Sequence, residues 1–185
     1  MIKLFLEVGK LKRLPRMGWL LRGVTDPESV ADHSFRVAFI TLFLSEELRN
    51  RGIDVNVEKA LKIALLHDLG EAKITDLPLD AQRYIDKKKA EKKAVMELLL
   101  EIGSKSLEYF KLFEEYEEES SLEGRLVKFA DKLEMVLQAY EYEKAGFSNL
   151  GEFWSALEYL KKSEFHKYFQ ELIDEVEKLR KINYL

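Results

Sequence analysis

The 185-residue sequence contains no cysteine. No disulfide framework can hold it, and any metal must be bound by histidine and carboxylate rather than thiolate. Proline occurs 3 times and glycine 9 times, and no alternation of apolar and polar residues with period two runs for any length, so β architecture has no signal. No apolar run is long enough to span a bilayer, and no charged-then-apolar leader with a small-residue cleavage site opens the chain. A soluble, cytoplasmic protein with no membrane partner is expected. Charge of one sign is also lacking: 30 Lys and Arg face 34 Asp and Glu, for a net charge of −4. That balance argues against a nucleic-acid polymer as partner. Without cysteine, a Ser-His pairing or a glycine-rich phosphate loop, covalent and P-loop mechanisms have no residues to run on.

What is present is helical. The length fits one domain, residues 1–185, and 46% hydrophobic residues supply a sizeable core. Charged residues make up 35%, which together with the missing cysteine is compatible with a thermophilic source. Apolar residues recur at the helical period in nearly every long segment. The pattern predicts a helix over Ile2–Leu14, stopped by Pro15, and then a loop over Arg16–Asp26. Ser29 with Asp32 starts the next helix as a capping-box variant, with Val30, His33, Val37, Ile40, Phe43 and Leu44 facing inward. Further helices are expected over about 57–69, capped by Asn56 or Asp54, and over 80–102 and 106–118. Gly70–Leu79 reads as an irregular link. Ser120 with Glu123 reads as a second capping box opening a long helix to about Lys144. One or two helices should fill Asn149–Leu185. The Glu114–Glu119 acidic cluster reads as a solvated face.

The chemistry concentrates in few places. His67 and Asp68 are adjacent at the end of an apolar run, and Glu71 follows a turn later on the face they look toward. Three such groups at a buried helix end must be paired, metal-bound or working; at an exposed end they would be ordinary terminal residues. Only three histidines occur, and His33, like His67, lies on an inward stripe beside an acid. Asp131 interrupts the apolar face of a later helix, where an unpaired carboxylate is rare. Together His33, His67, Asp68 and Asp131 could supply two imidazoles and two carboxylates from three helices. Such a set suits Mn, Co, Fe, Ni, Mg or Zn and leaves positions for water and substrate.

An isolated His, a His-Asp pair and a distant Asp, all on helices, resemble the HD-domain metal-dependent phosphohydrolases. More of the chain agrees. Leu11–Trp19 followed by Pro27–His33, His67-Asp68-Leu69-Gly70-Glu71 with Thr75-Asp76-Leu77-Pro78, and the region around Asp131 are similar to the 5′-deoxynucleotidase family. The resemblance covers at least residues 8–143 and implies an all-α HD-domain bundle of roughly six helices, with its core over about 29–145 and additional C-terminal helices. It implies a protein that is usually a homodimer and removes phosphate from deoxyribonucleoside 5′-monophosphates. By the same resemblance, His33, His67, Asp68 and Asp131 would bind one divalent metal, and Glu71 would orient or deprotonate the attacking water. Asp76 would act as acid or positioning group, Arg16 would hold the phosphate, and Trp19 would crowd the sugar 2′ position. Met17 and Gly18 separate Arg16 from Trp19, a spacing that differs between branches of the family. Arg22 and Lys128 are alternative phosphate contacts. The rival functions are an HD phosphodiesterase or triphosphate hydrolase, and a non-catalytic nucleotide-binding HD protein.

Overall fold

The computed structural model describes residues 1–182 and is all-α; the last three residues of the expected C-terminal helical stretch lie outside them. The helices are α1 (Ile2–Val8), α2 (Met17–Leu21), α3 (Val30–Asn50), α4 (Val57–Leu66), α5 (Glu71–Ile74), α6 (Lys87–Leu99), α7 (Ser106–Glu117), α8 (Leu122–Lys144), α9 (Ala156–Lys162) and α10 (His166–Ile182). Short 3-10 turns cover Gly9–Arg13, Ala81–Arg83, Leu100–Lys105 and Phe153–Ser155. The only extended pairing among the described residues is one antiparallel bridge between Pro15 and Ser29.

Helices α3, α4 and α8 pack on one another at the centre; α9 and α10 cover α8, and α6 and α7 close the other side. The buried apolar side chains form two clusters. The larger includes Val37, Ile63, Leu126, Phe129 and Ile173, and the smaller includes Val30, Leu66, Leu69, Val95 and Phe113. Each fully buried side chain of this kind contributes about 1.5–3 kcal/mol of hydrophobic free energy. Both α3 and α4 cross from one cluster to the other; on α3 the crossing spans His33, and on α4 it falls between Ala64 and Leu66, just before His67. The two imidazoles therefore sit at the seam between two apolar masses.

Local chemistry explains most boundaries. Ser29 caps α3 through a complete capping box: its Oγ accepts the Asp32 amide at 3.1 Å, and the Ser29 amide donates to Asp32 Oδ2 at 2.9 Å. Asn56 caps α4 by accepting the Lys59 amide at 3.0 Å. The second box does not form. Ser121, not Ser120, caps α8 by accepting the Gly124 amide, while Glu123 reaches across to accept the Asn56 amide at 3.0 Å. A long-range partner outcompetes the local one there.

Other expectations are corrected. The first helix is α only to Val8 and tightens to a 3-10 turn before Pro15. The loop after Arg16 holds the short helix α2, and the link after Gly70 holds α5. The helix expected from Asp80 starts at Lys87, where Asp86 supplies the cap by accepting the Lys89 amide. Phe43 does not face inward: with Phe35 and Phe39 it forms an outer ladder, the three being 71%, 53% and 58% exposed.

Gly124 marks the tightest approach in the bundle. A Cβ there would lie 2.3 Å from the Glu115 carbonyl oxygen on α7. Gly124→Ala should therefore destabilise the chain by about 1–3 kcal/mol, as overpacking does. Thermal melts check this, and an unchanged midpoint would contradict the α7–α8 contact.

Candidate active site

α3 presents His33 to the seam, the turn after α4 presents His67 and Asp68, and α8 presents Asp131. His33 Nε2 lies 3.4 Å from His67 Nε2, 3.4 Å from Asp131 Oδ1 and 3.6 Å from Asp68 Oδ2; His67 Nε2 lies 3.3 Å from the same Asp68 oxygen. His33, His67 and Asp68 thus bring donor atoms within 4.8 Å of one another, and Asp131 joins them through its contact with His33.

The other nitrogen of each ring is already committed. His67 Nδ1 lies 2.7 Å from the Ala64 carbonyl, which can only accept, so Nδ1 carries the proton. His33 Nδ1 lies 2.6 Å from Glu134 Oε2, a fully buried carboxylate. These contacts fix ring orientation and leave both Nε2 atoms pointing at the carboxylates of Asp68 and Asp131. Donor atoms of His33, His67 and Asp68 crowd within 4.8 Å, with Asp131 3.4 Å from His33, and repel unless a cation lies among them. The donor set therefore fits a divalent metal held by two imidazoles and two carboxylates. A proton can partly take that place. The His33 pKa is pushed up to about 10, because Glu134 and Asp131 outweigh burial and the Arg16 charge, which both pull it down. Asp131 is held well below the usual carboxylate range: burial opposes this, but Lys132, His33 and Lys128 prevail. Asp68 is lowered likewise, with His67 and Arg16 overcoming burial.

A second layer surrounds the ligands. Tyr116 on α7 donates its hydroxyl hydrogen to Asp131 Oδ2 at 3.1 Å. Arg36 donates to Glu134 Oε1 at 2.9 Å and so braces the carboxylate behind His33. The sequence reading did not single out Glu134, Tyr116 or Lys87. Glu134 lies one helical turn after Asp131, and that spacing could have exposed it; Tyr116 and Lys87 carry no local signal.

Glu71 is fully buried, and neither of its carboxylate oxygens accepts a hydrogen bond among the described residues. Burial and the nearby Asp68 push its pKa up to about 9, against the pull of Arg16 and Lys87. Asp76 follows Thr75, a β-branched residue at φ +66°, a strained conformation that concentrates at functional sites. Asp76 Oδ2 accepts the Met17 amide at 2.6 Å, and Oδ1 lies 3.9 Å from Arg16 Nη1. Arg16 Nη1 also lies 3.5 Å from Asp68 Oδ2. Burial disfavours the guanidinium, but Asp68 and Asp76 keep it firmly charged. The Pro15–Ser29 bridge ties this loop to the start of α3.

Of the alternative phosphate contacts, Arg22 is paired with Glu152 at 2.7 Å on the surface. Lys128 lies over the Tyr116 ring, 4.2 Å from its centroid. Trp19 is only 2% exposed. Its indole N–H donates to Glu28 at 3.0 Å, and its ring lies 3.8 Å from that of Phe153, centroid to centroid. A cleft of about 490 Å³ is lined by Arg16, Trp19, Asp76, Lys87, Lys132 and Phe153, among others. Gly18 permits the close approach of Phe153, whose Cε1 would lie 3.3 Å from any Cβ there.

The chain matches the HD domain family over residues 8–173. It is 42% identical over 147 residues to a 5′-deoxynucleotidase HDDC2 of Danio rerio, covering 78% of this chain and 70% of that one. It is also 42% identical to a 5′-deoxynucleotidase HDDC2 of Dictyostelium discoideum, covering 77% of each. A solved structure described as a conserved hypothetical protein from Pyrococcus furiosus is 60% identical, with a TM-score of 0.89 over 96% of this chain and 99% of that one.

The His33 environment sets a pH dependence in the metal-free protein. Its folded pKa, about 10, exceeds the ordinary 6.5. The folded state then holds more protons than the unfolded state between those values, and stability falls as pH rises. Melting in chelator should show the midpoint dropping from pH 6.5 toward 10, and added divalent metal should flatten the slope. A metal-free midpoint that stays level or rises over that range would contradict the described contacts of His33.

Proposed function

Because the chain belongs to the HD domain family, we propose that it is a metal-dependent 5′-deoxynucleotidase, hydrolysing deoxyribonucleoside 5′-monophosphates to nucleoside and inorganic phosphate. The observation that carries this reading is the gathering of His33, His67 and Asp68, with Asp131 on His33, near a buried Glu71 that accepts no hydrogen bond and a charged Arg16. The names of the relatives support the substrate class.

His33, His67, Asp68 and Asp131 hold one divalent ion; its identity among Co, Mn, Ni, Mg, Fe and Zn is left open by ligands that several metals accept. When bound, the ion supplies a Lewis acid that activates water and offsets charge on the phosphoryl group. Monoester hydrolysis is extremely slow uncatalysed, and its transition state spreads charge over the phosphoryl oxygens. Arg16 grips two of those oxygens, and its delocalised charge persists at any working pH. Glu71 accepts the proton of the attacking water. Burial and Asp68 raise its pKa to about 9 in the metal-free protein, and a divalent cation beside it would favour the charged carboxylate that this duty needs. Asp76, anchored by the Met17 amide, orients Arg16 rather than donating a proton. Trp19 acts on the sugar from behind Phe153, and the two stacked rings together narrow the 2′ side.

No described helix is long and apolar enough to cross a membrane, and the reading keeps the enzyme in the cytoplasm with its nucleotide substrates. The Phe35–Phe39–Phe43 ladder, with ring centroids 6.3 and 4.9 Å apart, supports a homodimer in which the same face meets itself about a twofold axis. At roughly 150–250 Å² per phenylalanine and about 60% exposure, two such ladders bury on the order of 550–900 Å², so flanking residues must add to the interface. Light scattering should give twice the chain mass, falling to the chain mass in Phe39→Glu; a monomeric wild type would overturn the dimer.

A nucleotide panel with several divalent ions tests the function. Phosphate should be released from monophosphates, deoxyribonucleotides first. Turnover of diesters or triphosphates instead, or of nothing, would contradict the reading. His67→Ala and Asp68→Ala should lose metal and activity together, whereas Glu71→Ala should keep the metal and lose at least ~100-fold in turnover, the scale of a positioned proton acceptor. Arg16→Ala should mainly raise KM, and an unchanged KM would move the phosphate contact elsewhere.

A further inference from the structure

Glu71 is an unusual group to leave inside a protein. Both oxygens are buried without a hydrogen bond, and the acids Asp68, at the end of α4, and Asp76, beyond α5, both disfavour its charge. Arg16 from the N-terminal loop and Lys87 from α6 oppose them. Among the described residues, Lys87 is the one cation within salt-bridge distance: Nζ lies 3.6 Å from Glu71 Oε1. The same Nζ lies 3.3 Å from Oε1 of Glu91, one turn along α6 and itself buried. We propose that Lys87, braced by Glu91, is a positioning residue that holds the Glu71 carboxylate on the metal-ligand side of the cleft.

The fold supplies this pair deliberately close. α6 packs against the turn that carries Glu71, and a Cβ on Gly70 would lie 3.4 Å from the Glu91 backbone and 3.3 Å from the Val95 side chain. Glycine at that position lets the two backbones approach, and the approach sets Lys87 over Glu71. Asp86 caps α6 immediately before Lys87 and fixes where the helix begins. The lysine is well placed to stay charged. Burial opposes its ammonium, but Glu91, Glu71 and Asp68 hold it above the ordinary lysine range.

Lys87 also lines the cleft, as do Arg16 and Lys132, so a direct grip on phosphate is the competing role. Geometry favours positioning. Two carboxylates lie within 3.6 Å of the Lys87 ammonium and compete with an anion for it, whereas Arg16 already faces the ligand cluster. An isolated buried carboxylate is costly, and a fixed neighbouring cation lowers the cost of its ionised form.

The inference rests on the nucleotidase reading for its kinetic test and on structure for its second test. Lys87→Met keeps the aliphatic stem and removes the charge. It should lower kcat at least ~10-fold, less than removal of the proton acceptor itself, while KM for a deoxynucleoside monophosphate and the calorimetric affinity for Mn stay within about twofold, the pattern of an interaction made in the transition state. Lys87→Arg should restore most of kcat, and Glu91→Gln should lose part of it. In a Glu71→Gln background, Lys87→Met should cost nothing further, because residues acting through one group are not additive. A raised KM at unchanged kcat would make Lys87 a phosphate contact and overturn the proposal, as would fully additive losses. A crystal structure of Lys87→Met gives a readout independent of turnover: Glu71 should leave its present rotamer, and an unmoved carboxylate would overturn the proposal even if wild-type protein hydrolyses no nucleotide at all.

Discussion

Two imidazole lone pairs and two carboxylates crowded at one largely buried seam cannot coexist without positive charge between them. That requirement organises the molecule. His33 and His67 have their outer nitrogens tied to Glu134 and to the Ala64 carbonyl, so neither ring can turn away from the repulsion. Rotation would leave a buried donor unpaired, which is itself costly. The site is preorganised because every escape is blocked by a committed hydrogen bond, and a bound cation turns that stored repulsion into affinity.

The surrounding architecture serves the same end. α3, α4 and α8 pack on one another at the centre, so ligands from distant parts of the chain are held by mutually contacting helices. The groups assigned to substrate sit instead on short elements at the edge: Arg16 before α2, Glu71 on α5 and Asp76 after a strained Thr75. Rigid helices fix the ion, and tethered loops present the phosphate grip. The bridge at Pro15 and the Asp76–Met17 contact stitch those loops together. Lys87 and Glu91 extend this logic by one layer, since a carboxylate without hydrogen bonds needs a neighbour to aim it.

Much of this was legible in the residues because polar side chains on inward stripes are conspicuous. His33, Asp131 and the His67-Asp68 pair interrupt apolar periodicity, and α3 announces itself with a capping box. What stayed hidden depends on tertiary contact. Ser120 and Glu123 have the spacing of a capping box, yet Glu123 finds a better donor on a distant loop. Phe43 has the period of the core but falls on an outer ladder, because three phenylalanines four residues apart define a stripe of their own. Lys87 sits in a run of three lysines that reads as solvated surface, and only the close packing of α6 on Gly70 carries it inside. Trp19, which the family resemblance places beside the sugar, is largely covered by Phe153 from a segment more than a hundred residues later.

Anomalous diffraction from crystals grown with Mn tests the central claim most directly. The account predicts one strong peak per chain, bonded to the Nε2 atoms of His33 and His67 and to carboxylate oxygens of Asp68 and Asp131. No peak among those four side chains, or the principal peak bound elsewhere, would contradict it.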